Sequence, residues 1–142
     1  NELTTVEPVN TLALLGEAGY PISPYEPFEG VETDENGRPT NAVEVHTNVR
    51  TVSYYTGKTC ASGLPAQVGH IGVNPSVYPY GTRLYIESED GSFVYGYCIA
   101  ADCGPGTLNG TIDLDLFLDT YYECSLLGRR NDIVVYVLPD AE

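Results

Sequence analysis

The chain has 142 residues, of which 42% are hydrophobic, and a formal net charge of −14 at pH 7. This length is typical of one domain and is sufficient to bury a core. The negative charge repels phosphate backbones, so we expect no nucleic-acid partner. No stretch approaches the roughly 20 apolar residues of a membrane-spanning helix, so we expect no membrane insertion of this chain.

Residues 1–47 differ in composition from the remainder of the chain. They carry nine acidic side chains and a single basic one, Arg38. Three prolines at a spacing of three in YPISPYEPFEG favour an extended chain over a helix. DENGRPTN predicts a tight turn with Asn36 and Gly37 at its tip. We therefore predict an acidic, proline-containing N-terminal segment or linker over residues 1–47, lying along a neighbouring domain.

From residue 48 onwards, short strands alternate with turns. Strand patterns occur in NVRTVSYYTG, on both sides of a turn at residues 89–92, in TIDLDLFLD and in IVVYVLP. One short helix is predicted in DTYYECSLLGRR, because Thr120 and Glu123 have capping-box spacing and Gly128 stands where a C-terminal glycine belongs. Strands this short need closure to protect their edges, so residues 48–142 are predicted to form a small, mainly β barrel.

Carboxylates on two of these strands are the main candidates for chemistry. In TIDLDLFLD, alternation places Asp113, Asp115 and Phe117 on the face opposite the leucines. The strand GYCIAADCG ends in Asp102, among small residues that leave open space. We interpret GPGTLNG as a flexible loop that brings Asp102 and Asp115 to one groove. The alternative is a half-exposed strand with a polar outer face.

Five segments of the chain share their motifs with one known family. The segments are TVSYYTGKTCASG, GHIGVNPSVYPYGTRLYI, YGYCIAADCG, IDLDLF and ECSLLGRRNDIVVYVL. Together they resemble the three-aspartate (3D) domain of secreted and wall-associated proteins of Gram-positive bacteria. The resemblance implies a six-stranded double-psi β-barrel with one short helix, as in the membrane-bound lytic transglycosylase A group. It also implies an extracellular or cell-wall location.

The resemblance assigns positions to the family's three aspartates. Asp102 takes the place of the "ADTG" aspartate, with Cys103 where threonine is usual. Asp115 takes the place of the aspartate in the "DLF" strand, although an alignment slipped by two residues would put Asp113 there. The third aspartate falls on Asn74, which is a departure that removes one charge.

The activity implied by the resemblance is cleavage of the β-1,4 bond between N-acetylmuramic acid and N-acetylglucosamine in peptidoglycan. One carboxylic acid protonates the leaving oxygen, then takes the proton of the muramyl 6-hydroxyl as a 1,6-anhydro ring closes, without a metal or cofactor. Asp115 is predicted to be this acid/base, and Asp102 to raise its pKa or stabilise developing positive charge, because crowding and apolar neighbours keep a carboxyl group protonated. A non-catalytic wall-glycan-binding module and a structural spacer are the alternatives.

Further residues near these motifs are predicted to contact the glycan strand. The predicted substrate-binding residues are Asn74, Thr56, Tyr55 and Gly104. Arg129 and Arg130 either meet a muramyl or peptide carboxylate or cap the end of the helix.

The four cysteines fit an oxidising compartment because their number is even. The pairings we predict are Cys98 with Cys124 and Cys60 with Cys103. No CxxC spacing occurs and only two histidines are present, so no metal site is predicted. A thiol nucleophile formed by Cys103 and His70 is a less favoured alternative to carboxylate chemistry.

Overall fold

A computed structural model describes residues 21–55 and 60–139. Within these ranges the strands are β1 (Glu44–Tyr55), β2 (His70–Gly72), β3 (Arg83–Ser88), β4 (Val94–Asp102), β5 (Leu114–Leu118) and β6 (Arg130–Val137). The helices are α1 (Pro105–Asn109) and α2 (Tyr121–Leu127). Over the described ranges, neither helix has the length and apolar character needed to cross a membrane.

The six strands close into a barrel in the order β1-β5-β2-β4-β3-β6. Strand β1 runs parallel to β5, and β2 runs parallel to β4. The other four neighbouring pairs are antiparallel. Two parallel pairs, each joining strands distant in sequence, within one closed six-stranded sheet define the double-psi arrangement. The mainly β, double-psi barrel predicted from the sequence is confirmed.

Alternation along β5 separates the barrel core from the outer wall. Leu114, Leu116 and Leu118 are fully buried in the main core. Burial of each such side chain stabilises the fold by about 1.5–3 kcal/mol. Phe117 belongs instead to a second, smaller cluster, with Cys60 and Ala101. The leucines therefore fix β5 so that its other face looks away from the main core, as the sequence pattern predicted.

Helix α2 begins and ends at the residues that the sequence indicated. The Thr120 hydroxyl accepts a hydrogen bond from the backbone N–H of Glu123 at 3.1 Å. At the other end, the N–H of Gly128 donates to the Cys124 carbonyl at 3.0 Å, and Gly128 has a φ of 64°. Thr120 and Gly128 are confirmed as the capping residues, whereas the Glu123 carboxylate accepts from the N–H of Asp119, at 3.2 Å, rather than from that of Thr120 as a full capping box requires.

The segment GPGTLNG contains α1, so its prediction as a flexible loop, and with it the prediction of a single helix, is wrong. Pro105 stands in the first turn, where its fixed φ suits a helix. The Thr107 hydroxyl bonds both the N–H and the carbonyl of Gly104, each at 3.1 Å. Gly110, with a φ of 84°, terminates the helix. Proline at the start and glycine at the end were helix signals that the high glycine content obscured.

Residues 21–43 cross the outside of the barrel. The N–H groups of Ile22 and Ser23 donate to the carbonyls of Val94 and Tyr95 in β4, at 3.0 and 2.7 Å. The turn predicted in DENGRPTN is present, with Gly37 at a φ of 84°. Strand β1 begins at Glu44, three residues before the predicted end of the N-terminal segment. The division into 1–47 and 48–142 stays a prediction, and residues 1–20 lie outside the described ranges.

Arg38, the single basic residue of the acidic segment 1–47, binds to a glutamate of the barrel. Arg38 donates from Nε to Glu87 Oε2 at 2.8 Å and from Nη2 to Oε1 at 3.3 Å. Glu87 is only 4% exposed, and the Tyr136 hydroxyl also donates to it, at 2.9 Å. A carboxylate this deeply buried depends on its partners, because desolvation penalises an unpaired charge.

We expect Arg38→Ala to lower the free energy of unfolding by about 2 kcal/mol, because Glu87 would keep only Tyr136 as a donor. Urea denaturation at neutral pH measures the change. Arg129→Ala is the matched control, since the described structure gives Arg129 no ion pair, and its effect should stay within about 0.5 kcal/mol. Equal destabilisation by the two variants would contradict the role assigned to the Glu87 contact.

Candidate active site

Asp102 and Asp115 come from strands that share β2 as a neighbour. Gly72, the last residue of β2, lies opposite Asp102 of β4 and opposite Asp115 of β5. A Cβ atom built on Gly72 would lie only 3.0 Å from the Cβ of Asp115. Glycine at position 72 therefore allows Asp115 to pack closely against β2, where a larger residue would collide with it. The structure brings this predicted pair together, and Gly72 is a site residue that sequence reasoning missed.

Asp115 has the environment of a carboxyl group that retains its proton. Burial, followed by the negative charge of Asp102, raises the pKa of Asp115 from 3.8 to about 6. Its Oδ1 is buried and has no hydrogen-bond partner within residues 21–55 and 60–139. An oxygen that lacks such partners is not stabilised in its charged form. Asp115 is thus suited to donate a proton near neutral pH.

Asp102 differs from Asp115 in its hydrogen bonding. Its Oδ1 accepts hydrogen bonds from the backbone N–H groups of Ala61 and Cys103, both at 2.9 Å. These two donors hold the Asp102 carboxylate at the end of β4. The contribution of Ala61 was not found from the sequence, because a main-chain amide leaves no signature in the residue type.

Asp113 does not share the environment of Asp115. Its Oδ2 accepts from Nε of Arg50 at 3.1 Å and from the Arg50 backbone N–H at 2.8 Å. Burial raises the pKa of Asp113, but the hydrogen bonds and charge of Arg50 outweigh that effect and lower it. Asp113 is therefore held as an ion pair, whereas Asp115 is not.

Asn74 and Asp113 lie together at a cavity of about 350 Å³. Asn74 is two residues beyond Gly72, and Asp113 is two residues before Asp115, so this cavity adjoins the aspartate pair along the same two strands. Neither Asp102 nor Asp115 lines it. The Asn74 Oδ1 accepts from the N–H of Ser76 at 2.9 Å, which fixes the amide in a local turn.

The other predicted substrate-binding residues are only partly described. Gly104 precedes α1, and a Cβ atom there would meet nothing within 4 Å, so open space borders this position. The backbone of Tyr55, the last residue of β1, pairs with Leu118 of β5. The side chain of Tyr55 and the whole of Thr56 lie outside the described part of the structure.

All four cysteines are free, so both predicted disulfides are wrong for this structure. Cys98 is fully buried, and its thiol contacts the Leu84 carbonyl at 3.7 Å. Cys60 contacts the Pro65 carbonyl at the same distance. Sequence position does not fix the direction of a Cβ vector, on which disulfide formation depends. Burial raises the pKa of the Cys60 thiol to about 11, with a smaller contribution from Asp102, so it stays neutral.

His70 is a structural residue. Its Nδ1 donates to the Pro65 carbonyl at 2.6 Å, and its Nε2 lies 2.7 Å from the Tyr25 hydroxyl. With Nδ1 as the donor, Nε2 accepts from the tyrosine. Both ring nitrogens are occupied in this way, so His70 is not free to act as the base for a Cys103 nucleophile.

Comparison with known protein families finds a match over part of the chain. Residues 70–139 match the family described as 3D domain. The match begins at the first residue of β2 and includes both Asp102 and Asp115. No curated protein matched the chain.

Solved structures with a similar fold include the lytic transglycosylase MltA of E. coli. MltA with bound chitohexaose is 22% identical over 59% of this chain, with a TM-score of 0.43. A second MltA structure is 21% identical over 58% of this chain, with a TM-score of 0.45. This chain spans 28% of the length of the MltA chain in both cases, so the activity of whole MltA does not by itself extend to it.

Proposed function

We propose that this protein is a lytic transglycosylase that cleaves the β-1,4 bond between N-acetylmuramic acid and N-acetylglucosamine. The single observation that carries the proposal is the pairing of Asp115 with Asp102 across Gly72. One carboxyl group has a raised pKa and the other accepts two backbone hydrogen bonds. Paired carboxyl groups in such contrasting environments are typical of glycosidic cleavage.

In the proposed reaction, Asp115 is the only residue that transfers protons. Its carboxyl proton passes to the glycosidic oxygen as the bond to the muramyl anomeric carbon breaks. The resulting carboxylate then accepts the proton of the muramyl 6-hydroxyl while O6 bonds to that carbon, which forms the 1,6-anhydro ring. Asp102 supplies negative charge near the positive charge that develops on the sugar. No water is consumed, and Asp115 ends in its initial protonation state.

A non-catalytic module that binds wall glycans is the second candidate function. The observation that favours it is Asn74, which stands where the family pattern has an aspartate and whose Oδ1 is engaged with Ser76. A transglycosylase with one acid/base group does not require a third carboxylate, so the first candidate fits the geometry better. An extracellular or wall-associated location, with peptidoglycan strands as the partner, belongs to both candidates.

Mass spectrometry of the soluble products from purified sacculi tests the proposal. We expect muropeptides ending in 1,6-anhydro-muramic acid, which are lighter by one water than the corresponding hydrolysis products. Reducing muramyl ends would contradict the transglycosylase assignment. Saturable binding to sacculi without soluble product would favour the binding module.

A further inference from the structure

Half of the basic residues of this acidic chain line one cavity. The chain has six lysine and arginine residues in total. Arg50, Arg129 and Arg130 surround a cavity of about 250 Å³, together with Thr51 and Asn131. In a protein with a net charge of −14, this concentration of guanidinium groups is a local reversal of sign. Arginine is the residue best suited to recognise carboxylates, because its planar donors match their geometry.

One of the three arginines at this cavity has no carboxylate partner. Arg50 is paired with Asp113 at 3.1 Å, and Arg130 with Asp132 at 2.7 Å. Asp90 also lies near Arg130, whose charge helps to lower the pKa of Asp90. Arg129 makes no ion pair or hydrogen bond with any other residue in the described ranges. A ligand carboxylate would provide the partner that Arg129 lacks.

Thr51 supplies a second, independent observation. It is 2% exposed and forms part of the wall of the same cavity. Its Oγ1 is buried and has no hydrogen-bond partner in the described part of the chain. Buried hydroxyl groups are nearly always hydrogen-bonded, because an unsatisfied one is costly. An oxygen of a ligand in the cavity would provide the missing partner once the Thr51 side chain rotates towards the cavity.

The cavity is connected to the candidate active site through Ile112 and Asp113. Ile112 lines both this cavity and the 350 Å³ cavity that contains Asn74. Asp113, which binds Arg50, is two residues from Asp115. A ligand at the aspartate pair could therefore extend along the Asn74 cavity towards the arginines.

We propose that the cavity lined by Arg50, Arg129 and Arg130 is a carboxylate-binding subsite that accepts a free carboxylate of the peptide attached to muramic acid. This inference rests on the proposed function for the identity of the ligand. Arg129 provides the uncompensated charge, Thr51 a hydroxyl partner, and the two paired arginines the surrounding positive potential.

The test uses a muramyl dipeptide with a free terminal carboxylate and the same molecule with that carboxylate amidated. We expect the protein to bind the free acid roughly ten-fold more tightly, as is typical of a hydrogen bond to a charged group. Arg129→Gln should abolish this preference and leave the affinity for the amide unchanged. Arg83→Gln removes an arginine that does not line this cavity, and this variant should keep the preference for the free acid. Isothermal titration calorimetry at low salt, with each of the three proteins and each of the two ligands, provides these comparisons.

Equal affinity for the acid and the amide, absence of binding of either, or an unchanged preference in Arg129→Gln would overturn the inference. Thr51→Val removes only the hydroxyl, and it should weaken binding of the acid several-fold without lowering the stability of the free protein. No step of this test requires cleavage. A preserved carboxylate preference in a protein that releases no product from sacculi would therefore reject the proposed activity and retain the subsite.

Discussion

Replacing Asp115 by asparagine is expected to lower the rate of sacculus solubilisation by roughly 10²- to 10⁴-fold, the usual contribution of a general acid/base. Asparagine has nearly the same shape but cannot transfer a proton. It would fill the same partly buried position opposite Gly72, so the fold should be retained. Release of soluble muropeptides measures the rate, and circular dichroism checks the fold.

Asp113→Asn is the matched control for this experiment. Asp113 lies two residues away and is also a carboxylate, but it is paired with Arg50. We expect its loss to change the rate only a few-fold. If Asp113→Asn is inactive while Asp115→Asn retains full activity, Asp113 is the proton donor and the assignment of Asp115 is wrong.

The protonation state of Asp115 should determine how the reaction rate depends on pH. Asp115 must be protonated when substrate binds, and its pKa is about 6. The value of kcat/KM should therefore decrease above about pH 6 as the acid form is lost. Removal of the Asp102 charge should move this decrease in kcat/KM to lower pH, because that charge contributes to the raised pKa of Asp115.

The raised pKa of Asp115 should also make the free energy of unfolding depend on pH in the absence of any substrate. Its pKa is about 6 in the folded state against 3.8 as the ordinary value. The folded state thus binds more protons than the unfolded state between these values, so stability decreases as pH rises through this window. About two pKa units correspond to a loss of about 3 kcal/mol, complete above about pH 6 and absent below about pH 4.

Asp115→Asn should remove this loss, because the neutral amide resembles the protonated acid. The free energy of unfolding of the variant, relative to the parent, should rise by up to about 3 kcal/mol between pH 4 and pH 7. Urea denaturation at a series of pH values measures the difference. A difference independent of pH would mean that Asp115 ionises in the folded state as easily as in the unfolded state. An inactive variant that gains stability would identify Asp115 as a functional rather than a structural residue.

Features that depend on local sequence were predictable. Leucine alternation in TIDLDLFLD fixed the faces of β5, and Thr120 and Gly128 marked the ends of α2. These signals act over a few residues, within the range of a side chain or one helical turn. Helix α1 was missed even though its signals were also local, because Pro105 and Gly110 stand among other glycines.

Contacts between distant segments were beyond the reach of such signals. The failed disulfide pairings show this, since Cys98 and Cys124 are both free although Cys124 packs against the same main core that contains Cys98. The attachment of Arg38 to Glu87 joins residues separated by 49 positions, and neither position has a motif. The direction and distance of such side chains are set by the closed barrel rather than by their neighbours in sequence.

By itself, the sequence determined the barrel class and placed Asp102 and Asp115 among the candidates, because strand alternation and local caps are properties of short segments. Only the tertiary structure distinguished the three aspartates. Asp113 meets Arg50, Asp102 meets two backbone amides, and the partly buried Asp115 has one buried oxygen without a partner in the described part of the chain. The physical reason is that a pKa depends on desolvation and on charges nearby in space, and the closure of β1, β2, β4 and β5 decides which groups those are.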